Sequence, residues 1–191
     1  MAFDYPPRSK FFRSELEQFL LLAQEEHFNP TEVVGSYAGA MGYPQFIASS
    51  YRRYAIDFDG DNKRDLRFNI ADAIGSVANY FQHHGWQKNK LITQRVIVRD
   101  NRYRSLVKQS LKPSITNTEL SRAGISLPQA VAGKHAVLAL AGKKGSQFWV
   151  THENFYVITR YNHSHLYAMA VHQLGQSIAK QRTQSNNGSS Q

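Results

Sequence analysis

The spacing of apolar residues changes twice along the chain, and this change restricts the fold more than any other feature. Apolar residues recur at helical spacing from Phe12 to Ala23 and again from Ala71 to Phe81. Two β-type runs follow, LITQRVIVRD at 91–100 and AVLALAGKKGSQFWVTH at 136–152, and a Lys-Lys-Gly turn breaks the second. A helical pattern returns from Leu166 to Ile178. We therefore predict an α+β chain that is mainly α-helical and carries a small sheet.

Each predicted helix has an apolar face that we expect to point into the core. The first helix ends at Asn29-Pro30, and the second begins near Asn69 and stops at Gly85, because glycine suits a helix C-terminus. Between them, a Gly- and Ser-rich loop leads into a short helix around 45–54. The predicted core faces are Phe12, Leu16, Phe19, Leu20 and Ala23; Ala71, Ile74, Val77, Ala78 and Phe81; and Leu166, Tyr167, Ala170, Val171, Leu174 and Ile178.

These patterns also predict how the chain is divided. Residues 1–90 form the helical core with an acidic loop, and residues 91–155 form the small β-domain. Residues 156–182 return to the core as a segment and a helix. Residues 183–191 are polar, and we expect them to be disordered.

The chain has a formal net charge of +9, with basic residues spread over its length. This favours an anionic partner, which could be nucleic acid, an acidic membrane surface or an anionic cell-wall polymer, and it is equally compatible with a solvated basic surface. The absence of cysteine excludes disulfides and thiolate metal sites. No apolar run spans a bilayer and no secretory signal is present, so we expect a soluble chain that is not exported as written.

The acidic stretch DFDGDNKRDL has the spacing of an EF-hand calcium loop. Asp57, Asp59, Asp61 and Asp65 fall at positions one, three, five and nine. Asn62 stands at position six, where the backbone must turn left-handed and where asparagine is the residue most tolerant after glycine. Hard oxygen ligands at alternate positions can surround one cation. A plain Asx-type turn is the alternative for the whole cluster.

Two further positions bear on this calcium site. Lys63, at position seven, would coordinate through its backbone carbonyl. Position twelve carries Phe68 in place of the bidentate glutamate, and the next carboxylate, Asp72, lies four residues later. Either the loop is longer than the standard one, or it binds weakly. Asp72 could also be an anion at the first turn of the following helix, with no metal.

Four stretches, in order, resemble one protein family. They are GSYAGAMGYPQF at 35–46, SSYRRYAIDFDGDNKRDL at 49–66, ADAIGSVANYFQHHGW at 71–86 and ITRYNHSHLYAMAV at 158–171. Together they resemble the membrane-bound lytic murein transglycosylase B family, from about Ala2 to about Leu174. Ile47 and Ala48 stand where the family usually has Met and Pro, a change expected to affect packing only.

The resemblance implies a fold, a reaction and a location. The fold is an α-helical, lysozyme-like domain with a small inserted β-domain. The reaction cleaves the β-1,4 bond between N-acetylmuramic acid and N-acetylglucosamine in peptidoglycan and ends in a 1,6-anhydro sugar. One carboxylic acid protonates the leaving oxygen and then acts as base while the sugar's own hydroxyl closes the ring. The full-length family protein belongs in the periplasm or at the outer membrane.

The resemblance also implies a set of substrate-binding residues. Ser36 and Gln45 match polar groups beside the sugar bond, and Tyr80, Tyr161 and Tyr167 match tyrosines that line the cleft. Tyr80 lies off the apolar stripe of its helix, which independently suggests that it is free to line a groove. Tyr167 flanks an apolar face and could equally belong to the core, and Tyr161 could be a packing aromatic.

For the metal, the resemblance implies a calcium ion held by the carboxylates of Asp57, Asp59, Asp61 and Asp72. A ligand at Asp72 favours the interpretation that the loop is longer than the standard one. Lys63 would then be the ligand that coordinates through its backbone carbonyl.

No catalytic residue is assigned within this chain. The resemblance places the catalytic glutamate in a Gly-Val-Glu-Thr-like segment upstream of Met1. We expect the glutamates at 15, 17, 25, 26 and 32 to be solvated surface charges. The chain is then a C-terminal portion of the enzyme that keeps much of the glycan cleft and lacks catalysis, and exposed apolar surface would make it marginally stable or associating.

Other functions are possible. A non-catalytic peptidoglycan-binding or inhibitor module would use the same cleft residues without turnover, and an unrelated acid such as Glu32 could replace the missing one. Nucleic-acid binding ranks last, because the basic residues form no motif. The pairs His83-His84 and His163/His165 have no third ligand at zinc spacing, so surface or capping roles are expected.

Overall fold

The computed structural model describes residues 6–107, 110–143 and 145–188, with side chains described as far as 185. It divides into two compact units, residues 1–83 and 84–191. Helices and one small antiparallel sheet make up the described chain, so the predicted α+β class is confirmed. The finer division at 90, 155 and 182 stays a prediction.

The first unit contains three α-helices: α1 (Ser9–Glu25), α2 (Ala48–Tyr54) and α3 (Ile70–His83). A 3₁₀ turn at Pro6–Arg8 precedes α1. The Asn69 side chain accepts hydrogen bonds from the first backbone N–H groups of α3, as an N-cap does. The predicted helix positions are therefore correct for α1 and α3.

The predicted buried face is partly correct for α1, where Phe12 and Ala23 are buried, and wrong for α3. On α1, Leu22 is fully buried, whereas the predicted core residues Leu16 and Leu20 are 39% and 54% exposed. On α3, Ile74 of the predicted stripe is 64% exposed. The buried face of α3 instead carries Asp72, Ala73, Gly75, Ser76 and Tyr80. Small and polar side chains point inward because the adjoining loop donates hydrogen bonds to some of them and packs closely against others.

The second unit is built around a three-stranded antiparallel sheet. Its strands are β1 (Thr93–Val96), β2 (Ala136–Gly142) and β3 (Gly145–Thr151), in the order β1-β3-β2. The register pairs Arg95 with Trp149, and β2 and β3 form the predicted hairpin. Residue 144 of the predicted Lys-Lys-Gly turn lies outside the described residues.

Two short helices cover one face of this sheet. They are α4 (Arg104–Val107), which follows a 3₁₀ turn at Asn101–Tyr103, and α5 (Asn117–Arg122). A capping box stabilises the start of α5. The core they close contains Val96, Leu106, Ile115, Leu120, Ala123, Ile125, Val137 and Val150. This hydrophobic cluster holds the sheet of the second unit in place.

Two further helices end the second unit: α6 (Glu153–Tyr161) and α7 (His165–Gly188). Residues 183–188, predicted to be disordered, instead continue α7 as helix. Residues 189–191 lie outside the described part. Here too the predicted face is wrong, because Leu174 and Ile178 are 63% and 56% exposed. The residues buried on α7 are Ala168, Met169 and His172. Within the described residues, none of the helices has the length and hydropathy to cross a bilayer.

Candidate functional site

The glycine-rich segment after α1 folds into a tight turn that holds Ser36 and Gln45 at the surface. Backbone bridges on both sides of Met41 close this turn. The Ser36 hydroxyl oxygen accepts a hydrogen bond from the Ala40 N–H (3.1 Å). The Gln45 side-chain amide donates to the Gly42 carbonyl oxygen (2.9 Å). Both predicted polar residues are therefore oriented by local backbone bonds while staying exposed.

Left-handed backbone conformations shape this turn. Gly42 has φ +67° and Gln45 has φ +53°. A Cβ atom at Gly42 would lie 2.3 Å from the Leu66 carbonyl oxygen, so only glycine allows this close approach. The short helix predicted around 45–54 begins only at Ala48, because Gln45 is left-handed and Ile47 is extended.

A cavity of about 320 Å³ lies beside the turn in the first unit. Ser36 lines it together with Phe12 and Glu15 of α1, whereas Gln45 is not among the described residues that line it. Glu15 is half-buried, and its Oε2 accepts a hydrogen bond from the Ser49 N–H (3.1 Å). The prediction of a solvated Glu15 is therefore wrong, because α1 places it against the start of α2.

The ring of Tyr80 packs among other aromatic rings of the first unit. Its centroid lies 4.9 Å from that of Tyr54 and 5.7 Å from that of Phe46. The side chain is only 9% exposed. Tyr80 is therefore not free to line a groove, contrary to the prediction from its position off the apolar stripe, because the stripe is exposed or half-buried and Tyr80 lies on the buried face of α3. Tyr80 supports the turn through Phe46, which ends it.

Tyr161 and Tyr167 come together in the second unit. Tyr161 is the last residue of α6, and Tyr167 lies in the first turn of α7. Their rings are parallel, with 3° between the planes and 6.4 Å between the centroids. The Asn162 side chain accepts a hydrogen bond from the Ser164 N–H (3.0 Å), which fixes the short connection between the helices. Tyr167 is 38% exposed, so it does not belong to the core.

Three carboxylates of the acidic loop lie close together. Asp57, Asp59 and Asp61 each offer an oxygen, and these oxygens lie within 4.8 Å of one another. Within residues 6–107, 110–143 and 145–188, no other group of three His, Asp or Glu side chains has such spacing. Hard oxygen donors so arranged fit calcium, which prefers carboxylate and carbonyl ligands.

Asp57 also organises the backbone of this loop. Its Oδ1 accepts hydrogen bonds from the N–H groups of Gly60 (2.6 Å) and Asp61 (3.2 Å), and its Oδ2 accepts one from Asn62 (2.8 Å). Asn62 has φ +67°, which confirms the left-handed turn predicted at position six. The Lys63 N–H donates to an oxygen of Asp61 (2.9 Å). The ligand role of the Lys63 carbonyl stays a prediction.

Asp72 lies apart from the three clustered carboxylates. It is fully buried in the first turn of α3. Its Oδ1 accepts a hydrogen bond from the Phe58 N–H and its Oδ2 accepts one from the Asp65 N–H, both at 2.8 Å. Asp72 therefore ties two points of the acidic loop to α3. This agrees with a structural anion at a helix N-terminus, and its role as a calcium ligand stays a prediction.

The histidine pairs noted in the sequence make local contacts. His83 Nδ1 lies 2.9 Å from the Asn79 carbonyl oxygen, one turn earlier in α3. His163 Nε2 lies 3.0 Å from a guanidinium nitrogen of Arg160. Neither histidine belongs to a metal-type cluster within the described residues.

A buried histidine pair in the second unit was not predicted. The Nδ1 atoms of His135 and His152 lie 3.0 Å apart. His135 Nε2 lies 2.8 Å from the Asn117 Oδ1, which can only accept, so His135 carries its proton on Nε2 and His152 donates from Nδ1. His152 Nε2 then accepts from the Gln94 amide (3.2 Å). Taken together, the three hydrogen bonds require both imidazoles to be neutral.

Burial reinforces this neutral state. It lowers the pKa of His135, and burial together with the nearby His135 lowers the pKa of His152 to about 4. The two residues lie 17 positions apart and meet only through the sheet, so no local pattern could have predicted the pair.

The other glutamates lie in or beyond α1, and Glu17 is exposed as predicted. Glu25 is exposed as predicted and pairs with Arg52 (2.6 Å), and the hydrogen bond from Arg52 lowers the pKa of this carboxyl. Glu26, just after α1, is half-buried in an ion pair with Arg64, so the prediction that it is solvated is wrong. Glu32 lies beyond α1 and is exposed, as predicted. None of Glu25, Glu26 and Glu32 has the apolar enclosure that keeps a carboxylic acid protonated.

Comparison with known proteins connects these features to one family. A family model described as "Transglycosylase SLT domain" matches residues 1–176. The membrane-bound lytic murein transglycosylase B of Escherichia coli K12 is 46% identical over 187 residues. The match covers 96% of this chain and 50% of the relative, so the chain spans about half the length of that protein.

Solved structures agree with this match. The Escherichia coli lytic transglycosylase Slt35 in complex with calcium has a TM-score of 0.87 and 43% identity, covering 95% of this chain and 57% of that one. SltB3 from Pseudomonas aeruginosa in complex with NAG-anhNAM-pentapeptide has a TM-score of 0.75 and 32% identity, covering 89% and 46%. The predicted lysozyme-like fold is confirmed.

Proposed function

The chain belongs to the transglycosylase SLT domain family, and we propose that it forms the glycan-binding part of a peptidoglycan lytic transglycosylase of the bacterial envelope. The observation that carries the proposal is the 46% identity over 187 residues to a membrane-bound lytic murein transglycosylase. The reaction is cleavage of the β-1,4 bond between N-acetylmuramic acid and N-acetylglucosamine, with closure of a 1,6-anhydro ring.

In this proposal each unit contributes its own substrate-binding groups. In the first unit, Ser36 and Gln45 offer a hydroxyl and an amide to sugar hydroxyls, and Tyr80 acts indirectly by supporting their turn. In the second unit, Tyr161 and Tyr167 offer aromatic faces against which sugar rings can pack, while their hydroxyls remain able to hydrogen-bond. The support for these roles is the exposure of the two polar residues and the parallel arrangement of the two rings.

Calcium is the ion proposed for the acidic loop. Asp57, Asp59 and Asp61 would hold it, with the Lys63 carbonyl as a backbone ligand and Asp72 as a further carboxylate. Three carboxylates within 4.8 Å repel one another, so the ion would supply charge compensation and a fixed loop geometry. The loop precedes α3 and contacts its first turn through Asp72, so calcium would stabilise the helix that carries Tyr80.

We further propose that the chain by itself does not cleave peptidoglycan. A general acid needs an enclosure that keeps it protonated, and the ion-paired Glu25 and Glu26 and the exposed Glu32 lack one. Glu15 is the strongest competing candidate, because it is half-buried in the cavity that Ser36 lines. Its carboxylate, however, already accepts a hydrogen bond from the Ser49 N–H, so one of its oxygens serves to hold α1 against the start of α2.

Mass spectrometry of digested sacculi tests this proposal. The purified chain is incubated with peptidoglycan sacculi and calcium, and the muropeptides released are searched for 1,6-anhydro-N-acetylmuramic acid ends. We expect none above the level of a buffer control. Products that appear with the unmodified chain and disappear with E15Q, but persist with E32Q, would instead identify Glu15 as the acid.

A further inference from the structure

The basic charge of the chain is concentrated in the second unit. Residues 84–191 contain 15 Lys and Arg against 3 Asp and Glu, which gives a formal net charge of +12. Residues 1–83 contain 8 against 11, which gives −3. The spread of basic residues along the sequence therefore conceals a strong difference between the units. An anionic partner is expected to meet the second unit.

The acidic side chains of the second unit do little to neutralise it. Asp100 forms an ion pair with Arg102 (2.7 Å). Glu119 is held in the capping box with Thr116 at the start of α5. Glu153 lies in the first turn of α6, where the helix dipole stabilises it. These three carboxylates leave most of the formal positive charge of residues 84–191 uncompensated.

Two of these arginines share one side of β1 and the segment that continues it. Arg95 and Arg99 are exposed, as is Ile97 between them, while Val96 is buried and Val98 is half-buried. This alternation is that of an extended chain, in which residues four apart are separated by roughly 13 Å. Neither arginine side chain makes an ion pair or hydrogen bond with any residue that the structure describes.

A groove of about 410 Å³ runs between this segment and the one that follows α5. We call it the arginine groove. Its lining residues are Arg95, Ile97 and Arg99 on one side and Ser126, Leu127 and Pro128 on the other. Among these described lining residues there is no carboxylate. The groove therefore combines two free guanidinium groups with apolar surface and one hydroxyl.

Both ends of the arginine groove are fixed by backbone contacts. At one end, the Gln94 side chain accepts a hydrogen bond from the Gln129 N–H (2.9 Å) and donates one to the Gln129 carbonyl oxygen (3.1 Å). At the other end, Val98 and Ile125 form an isolated β-bridge, and Ile125 is buried in the core of the unit. The two walls are therefore held apart at a set distance before any ligand arrives, which lowers the entropic cost of binding.

We propose that the arginine groove binds the carboxylates of the peptides attached to peptidoglycan glycan strands. This inference rests on the proposed function, which supplies the polymer. Arginine pairs with carboxylates through two parallel hydrogen bonds, so Arg95 and Arg99 can each hold one carboxylate of an extended peptide. Ile97 and Leu127 contact the aliphatic parts between the charges, and the Ser126 hydroxyl can bond to the peptide backbone.

The shape of the site favours a peptide over an anionic membrane. A lipid surface is flat and needs basic residues that project outward, whereas these arginines line a concave groove with two opposing walls. The alternating arrangement of Arg95, Ile97 and Arg99 also matches the repeat of an extended peptide lying alongside β1.

A peptide titration tests the groove directly. The full chain is titrated with the free tetrapeptides that an amidase releases from sacculi, and the side-chain Nε–H signals of Arg95 and Arg99 are followed by NMR. We expect saturable shifts at both arginines, and binding on the order of tenfold weaker for the variant R95Q/R99Q. The control K180Q/R182Q removes the same charge from exposed positions on α7 and should bind like the unmodified chain. Equal binding by the two variants, or no shift at Arg95 and Arg99, would overturn the proposal.

Binding to immobilised polymer separates this inference from the proposed function. The unmodified chain and R95Q/R99Q are compared on intact peptidoglycan and on glycan strands from which the amidase has removed the peptides. We expect a difference on the intact polymer alone. A difference that persists on stripped strands, or that appears instead with phosphatidylglycerol vesicles, overturns the peptide assignment. An unmodified chain that binds neither polymer contradicts the proposed function, and the peptide titration still decides the groove.

Discussion

The rings of Tyr161 and Tyr167 lie parallel, with 3° between their planes and 6.4 Å between their centroids, although they belong to different helices. The short connection between α6 and α7 sets this geometry through the Asn162 side chain, which accepts from the Ser164 N–H. At 38% exposed, Tyr167 presents part of its ring to solvent. The pair therefore presents an aromatic surface, and this is the surface proposed to bind a sugar.

The first prediction concerns this aromatic pair. Y167A removes one ring from the surface and should weaken binding to peptidoglycan glycan strands by about fivefold, as expected for the loss of one aromatic contact. Y167F keeps the ring and should stay within about twofold of the unmodified chain. The neighbouring substitution L166A, also at an exposed position of α7, serves as the control. Equal weakening by L166A and Y167A would show that glycan binding depends on the surface of α7 in general and not on the Tyr167 ring.

The second prediction separates the calcium cluster from Asp72. Calcium is expected to raise the melting temperature of the unmodified chain, and D61N, which removes one of the three clustered carboxylates, should abolish this rise with little effect in chelator. D72N weakens a buried acceptor of two backbone N–H groups and should cost roughly 1–3 kcal/mol even in chelator. Melting curves with calcium and with EDTA measure both effects. A D61N chain that still responds fully to calcium would contradict the assignment of the cluster.

The third prediction concerns the pH dependence of the second unit. The folded-state pKa values of His135 and His152 are lowered, that of His152 from 6.5 to about 4. Between these values the unfolded chain binds more protons than the folded one, so stability is complete above pH 6.5 and falls as the pH drops toward 4. The buried His172, whose pKa is also lowered by burial, contributes in the same direction.

Urea unfolding between pH 4 and 7 measures this dependence. The slope of unfolding free energy against pH should be smaller in H152Q than in the unmodified chain, because one of the neutral imidazoles is gone. H163Q, at an exposed position, is the matched His-to-Gln control. If the slope in H152Q equals that of the unmodified chain, groups other than His152 cause the pH dependence of stability.

The fourth prediction concerns the turn that carries Ser36 and Gln45. G42A puts a Cβ atom 2.3 Å from the Leu66 carbonyl oxygen at a φ of +67° and should destabilise the first unit by more than about 2 kcal/mol. G39A has φ +80° but no atom within 4 Å of the added Cβ, so it should cost only about 1 kcal/mol. Equal costs for the two would mean that the contact with Leu66 is relieved by movement of the turn.

The sequence predicted local features of this fold well. The β2–β3 hairpin and the left-handed Asn62 follow from patterns of a few residues, and both are present. The Gly85 stop after α3 is present too, with φ +93°. Such features depend on backbone preferences that act within one turn or one strand, so they can be recognised without knowing what lies nearby.

Features that depend on tertiary contact were not predictable. The apolar stripe of α3 suggests that Ile74 is buried and Tyr80 is free, and the structure has the reverse. Periodicity locates a stripe but does not say which side of the helix the rest of the chain covers. A Cβ at Gly75 would lie 2.6 Å from the Phe58 ring, so the small residue, and not the apolar ones, marks the packed face. The pair His135 and His152 is created by the sheet and leaves no local signal.

Sedimentation with purified peptidoglycan tests whether this chain binds glycan strands. The chain is incubated in calcium with sacculi and, separately, with cellulose of the same mass, and the fraction that sediments with each polymer is measured. We expect saturable sedimentation with peptidoglycan and background levels with cellulose. A chain that sediments equally with both polymers, or with neither, would contradict its assignment as the glycan-binding part of a lytic transglycosylase.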